Sequence, residues 1–171
     1  MLALFNLGLV LGGLLSASVL WLVSGLTDPV PETGRIGVAL VAAGAGLLRD
    51  FGVVTLPLPQ HARQIPQEVL LRKPLRGALQ FGFELGTGVR TYISSTSPYV
   101  LAIALFFISP GFVPVALAGL GFGIGRGATA AAQYWSRDPE WNKRAAARIG
   151  PLTRSASGVM LGFLVLVAIN G

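Results

Sequence analysis

Apolar residues along this chain come in long runs separated by short polar punctuation, not in the alternation of a half-buried strand or the single stripe of a soluble helix. A spanning helix needs about 20 mostly apolar residues to cross about 30 Å of hydrocarbon. Five stretches meet or approach that length. They cover residues 2–26, closed by Thr27-Asp28-Pro29; 36–58, interrupted by Arg49-Asp50; 76–93, the most polar; 99–125; and 155–170, which is short. In the fourth, Ser109-Pro110-Gly111 and Pro114 remove backbone donors. Its halves, at 1.5 Å per residue, are each too short to cross, so the pattern predicts one bent span. Gly150-Pro151 predicts the stop of a separate short helix that begins at Asp138-Pro139 and lies on the cytoplasmic membrane surface, with Tyr134 and Trp135 in the interfacial aromatic belt. The expected fold is therefore all-α: a single polytopic membrane domain over 1–171, with five transmembrane helices and one interfacial helix.

Charge orients this bundle. Lys and Arg concentrate in two loops, 60–75 with its flanking Arg76 (Arg63, Arg72, Lys73, Arg76) and 126–154 (Arg126, Arg137, Lys143, Arg144, Arg148, Arg154), whereas the alternating loops hold Arg35 alone. Cytoplasmic loops carry the basic excess, so the N-terminus is expected inside and the C-terminus outside, in a prokaryotic inner membrane. The opening stretch lacks a basic n-region and exceeds the apolar length of a signal peptide, so it reads as a retained helix.

Composition narrows the function. Hydrophobic residues make up 53% of the chain and charged residues 12%, about half the share of a soluble domain. The net charge of +6 lies between apolar stretches, which points to anionic lipid headgroups and away from nucleic acid. Without cysteine, disulfides and thiolate chemistry are excluded. His61 has no second histidine with which to hold a metal, and neither a nucleophile elbow nor a phosphate loop occurs, the glycines from Gly119 to Gly127 included. No cofactor, metal site or catalytic residue is expected. The glycine-rich fourth stretch and the short fifth resemble small polytopic families of the cytochrome-biogenesis and thiol-reductant carrier type. Those families work through paired cysteines, so the resemblance carries no function to this chain.

Polar residues inside apolar stretches are the candidates for function, because lipid tolerates them only when they are partnered or line a cavity. On the third stretch Gln80, Glu84, Thr87, Thr91, Ser94 and Ser95 follow spacings of three and four, forming a seam for a substrate pathway or a packed neighbour. Arg49, Asp50, Glu84 and Arg90 are expected to form a neutral buried charge cluster. Small residues at helical spacing, including Gly8 and Gly12, Gly82 and Gly86, and Gly119, Gly123 and Gly127, predict close helix packing. The favoured reading is a small oligomeric transporter or permeation module using the seam. The alternative is a non-catalytic subunit or assembly factor of a larger membrane complex.

Overall fold

The computed structural model describes residues 1–58, 74–88, 95–136 and 140–170. Among these the protein is all-helical, without a strand. The helices are α1 (Leu2–Ser24, continued by a 3-10 turn Gly25–Thr27), α2 (Glu32–Asp50), α3 (Pro74–Gly86), α4 (Ser97–Ile108), α5 (Phe112–Ser136) and α6 (Trp141–Asn170). Three are long and apolar enough to cross a membrane: Leu2–Thr27, Phe112–Ser136 and Lys143–Ile169. They expose large apolar side chains, such as Leu22 at 69%, Val159 at 74% and Ile169 at 75%, as a lipid solvent permits.

The helices sort into two compact units that share α1 and alternate after it. The first holds α1 as far as Val19, α3 and α5; the second holds the end of α1 from Leu20, α2, α4 and α6. In the first unit the backbones touch. A methyl group added at Gly82 or Gly86 would meet the backbone of Phe5 or Leu9, so α3 runs parallel to α1. Ser16 closes that seam by donating to the Thr87 carbonyl at 2.9 Å. Gly13 faces Gly119, Leu9 faces Gly123 and Asn6 faces Gly127, so α5 runs antiparallel to α1. The buried residues of α5, Val115, Gly119, Gly123, Gly127 and Ala131, recur every fourth position, which gives one straight narrow stripe for the partner backbone.

The second unit is built on alanines. Ala39 and Ala43 of α2 pack with Val100 and Ala104 of α4 and Leu164 of α6. Gly46 lies against Thr96 and Val100, which sets α4 antiparallel to α2. At the other end of α4 the hydroxyls of Ser24 and Ser109 are 2.9 Å apart, and Thr27 donates to the Phe106 carbonyl at 3.4 Å.

Several expected boundaries change. α2 stops at Asp50, not near 58, and Gly52 turns the chain at φ 79. α3 has 13 residues, spans about 20 Å and ends at Gly86, with Gly88 at φ 73, not at 93. The fourth stretch is two helices, not one bent span: Ser109 takes the left-handed conformation at φ 48, Gly111 follows at φ 89, and Pro114 falls in the first turn of α5, where its missing N–H breaks no helical bond. α5 then runs to Ser136, through the first part of the expected 126–154 loop. The separate interfacial helix and the fifth stretch are one helix, α6, which passes through Pro151. A proline removes a single intrahelical bond, and good helix formers on both sides, Ala145 to Ala147 and Leu152, carry the turn across it. Asp138 and Pro139 lie outside the described residues.

Candidate functional site

The second unit contains one carboxylate held by every helix around it. Asp50 ends α2, and its side chain is 2% exposed. Its Oδ2 accepts the Thr96 hydroxyl at 2.8 Å, the Thr96 amide at 3.1 Å, the Ser95 hydroxyl at 3.3 Å and the Ser157 hydroxyl of α6 at 2.5 Å. Its Oδ1 takes the Arg49 Nη1 at 3.3 Å. Asp50 thus caps the start of α4, where orphan amides and the positive end of the helix dipole favour an anion.

Around this carboxylate the hydroxyls form a closed set. Ser97 lies 3.2 Å from Ser157 and 2.9 Å from Ser95, and the Ser97 amide donates to the Ser95 hydroxyl at 3.1 Å. The Thr96 hydroxyl is also 3.0 Å from the Gly46 carbonyl, so its single proton serves Asp50 or α2. Chains of this kind polarise one another and bind more firmly than the separate pairs. With the charge answered by several donors and an arginine, the arrangement ties α2, α4 and α6 together at one depth and leaves Oδ2 no unpaired direction for a transported ion.

Beside this joint lies an open cleft of about 570 Å3 lined by Arg49, Asp50, Gly52, Val54, Thr55, Leu56, Pro57 and Thr153. Arg49 is anchored there by its Nε, which donates to the Leu56 carbonyl at 2.8 Å. Arg154, next to Thr153, lies over the Phe51 ring at 5.6 Å. Among the described residues no group of three or more acidic, histidine or cysteine side chains is placed to hold a metal.

The expected seam is divided. Gln80 and Glu84 are on α3 and Thr87 directly follows it, all in the first unit, where Gln80 donates to the Glu84 carboxylate at 3.1 Å and Thr87 donates to the Glu84 carbonyl at 2.8 Å. Ser95 instead precedes α4 and joins Asp50. Arg49 and Asp50 meet as an ion pair, while Glu84 accepts from Gln80 on its own helix. Thr91, Ser94 and Arg90 lie outside the described residues. Sequence reading passed over Thr96, Ser97 and Ser157. The signals were there: Thr-Ser-Pro is a helix-start signature, and Ser155-Ala-Ser157 is the last pair of hydroxyls before an otherwise apolar run.

No family model matches the chain, and no solved structure matches it. The chain is similar to a methylamine utilization protein MauF of Methylobacillus flagellatus, with 31% identity over 169 residues that cover 92% of the chain and 57% of the relative. It is also similar to MauF of Methylophilus methylotrophus, with 31% identity over 116 residues, or 66% of the chain and 39% of that protein. The chain thus spans about half the length of the curated relatives it matches. This likeness overturns the expectation of a transporter or permeation module: the relatives are described by methylamine utilization, not transport.

Proposed function

We propose that the protein is a membrane-embedded, non-catalytic subunit or assembly factor of a larger membrane complex that serves the utilization of methylamine or a related small amine. The observation that carries this reading is the similarity to MauF across 92% of the chain. The structure supplies physical support: Asp50, Ser95, Thr96 and Ser157 are spent on joining α2, α4 and α6, as suits a scaffold. The test is affinity purification of a tagged chain in mild detergent from cells grown on methylamine, beside growth of a deletion strain. A stoichiometric membrane partner and loss of growth on methylamine, with growth on other substrates kept, are expected. A chain that purifies alone from a strain whose deletion grows normally on methylamine overturns it.

The membrane arrangement belongs to the same proposal. The passes are α1, α2, α4, α5 and α6, with the N-terminus cytoplasmic and the C-terminus outside; α4 has only 12 residues but reaches from Asp50 at one end of α2 to Thr27 beside its other end, whereas α3 enters beside the first part of α1 and returns. Three observations support it. α3 is about 20 Å long and packs on residues 5 to 16 of α1. α4 starts at Asp50, the far end of α2 from the α1–α2 turn, and finishes beside Ser24. The basic loops remain on one side. The absence of native cysteine makes this directly testable by single cysteines and a membrane-impermeant maleimide. Asp28→Cys and Pro110→Cys should label in intact cells, and Glu140→Cys only after permeabilisation. Protection of Pro110→Cys alongside labelling of Asp28→Cys would restore the single bent span.

A further inference from the structure

We infer that the cleft at the end of α2 is a phosphate-binding site, with an anionic phospholipid headgroup as the bearer of that phosphate. The inference rests on the membrane placement proposed above and not on the identity of any partner protein.

Arg49 and Arg154 are the donors. Arg49 is fixed by the Leu56 carbonyl and by Asp50, yet its side chain keeps 24% of its surface exposed on the cleft it lines. Two of its N–H groups are occupied, which leaves the rest of the guanidinium fork for a ligand. Arg154 is adjacent to the cleft residue Thr153, and its guanidinium is held over Phe51, the residue between the lining positions Asp50 and Gly52. No described carboxylate pairs with Arg154. A guanidinium that lines the cleft and a second on the residue next to its wall, each held in place by a carbonyl or a ring, are the groups that suit the forked oxygens of phosphate.

The remaining wall fits the lipid source. Val54, Leu56 and Pro57 give the cleft an apolar side, and Thr55 offers a hydroxyl. Asp50 also lines it, but its charge is turned toward α4 and α6 and saturated there. In the proposed orientation this end of α2 and the basic first half of α6 lie at the cytoplasmic surface. Phosphate oxygens are the abundant anions at that depth, and basic pockets between helices there take lipid headgroups.

The experiment uses the full chain purified in neutral detergent, with intrinsic tryptophan fluorescence and thermal unfolding read against added dioleoyl phosphatidylglycerol, dioleoyl phosphatidylcholine and inorganic phosphate. Phosphatidylglycerol should raise the unfolding temperature and bind saturably, with phosphatidylcholine inert. Arg154→Gln should weaken that binding about ten-fold, the loss of roughly one charge-assisted contact. Arg148→Gln removes the same charge from α6 six positions away and should stay within about two-fold. Arg49→Lys keeps the charge but loses the fork, and should also weaken binding. Saturation by inorganic phosphate at matching concentration would support the phosphate site and assign it to a free ion. Equal effects of the two lipids, or of Arg154→Gln and Arg148→Gln, would overturn the site in favour of diffuse surface charge. Purification of the chain without any partner would defeat the complex reading and leave this measurement intact.

Discussion

Gly82→Ala should destabilise the protein by about 3 kcal/mol, the upper end of the cost of overpacking, and Gly82→Leu should abolish the folded yield. The added methyl would overlap the Phe5 carbonyl oxygen and come within 2.9 Å of its carbon and 3.1 Å of its Cα. All three are backbone atoms of a helix, so no rotamer relieves the contact; α1 and α3 must separate, and Gly86 and Gly12 would lose their close contacts with them. The sharper form of the prediction compares residues within α5. Gly119 and Gly123 meet the α1 backbone, with a methyl at 123 placed 2.7 Å from the Leu9 carbonyl oxygen, whereas Gly121 and Gly125 have nothing within 4 Å. Gly123→Ala should therefore cost stability. Gly121→Ala and Gly125→Ala should be neutral or gain roughly 0.5–1 kcal/mol, the ordinary helix-propensity advantage of alanine. Unfolding in mixed detergent micelles reads all of these. Equal responses at 121 and 123 would mean that α1 and α5 do not touch as described.

Asp50→Ala is expected to cost about 3–5 kcal/mol, the penalty for removing one partner from a buried charged set and leaving the others unpaired. Ser95, Thr96 and Ser157 would lose their acceptor, Arg49 its counter-charge, and α4 the cap on its first turn. Asp50→Asn should fall roughly midway, since the amide keeps one acceptor oxygen but turns a donor toward a ring of donors. The same unfolding assay distinguishes them. If Asp50→Ala is as stable as wild type, the carboxylate does not join α2, α4 and α6.

Fold class was legible in the sequence because lipid demands unbroken apolar length, and that demand leaves a plain mark over residues 2–26 and 155–170. The internal breaks were harder to read. Ser109-Pro110-Gly111 looks like a kink or a break in one dimension, and what decides is the left-handed backbone at Ser109, which ends α4. Gly150-Pro151 misled in the opposite sense, since helix formers on both sides outweighed one missing bond. The pairing of glycines could be anticipated from their spacing, but not which helix each stripe would meet. For the candidate site, the sequence singled out Arg49 and Asp50 as charges that needed partners. It did not reveal that hydroxyls from positions 95, 96 and 157 would supply them, because hydrogen bonds between residues 46 and 107 positions apart leave no periodic trace.

The alternation of the helices after α1 between the two units bears on how the protein is made. A chain leaving the ribosome delivers α1 first, but its glycine grooves stay empty until α3 and α5 emerge, and the alanine face of α2 waits for α4 and then α6. Neither half can finish before α5, which ends at Ser136 of 171 residues, has been made, so closure depends on contacts distant along the chain, which slows folding. During that interval the glycine grooves and the Asp50 carboxylate lie without their partners. Biogenesis of this protein should depend on an insertase or chaperone that shields them, and cutting the gene between α2 and α5 should leave neither fragment with a complete unit and both unable to fold alone.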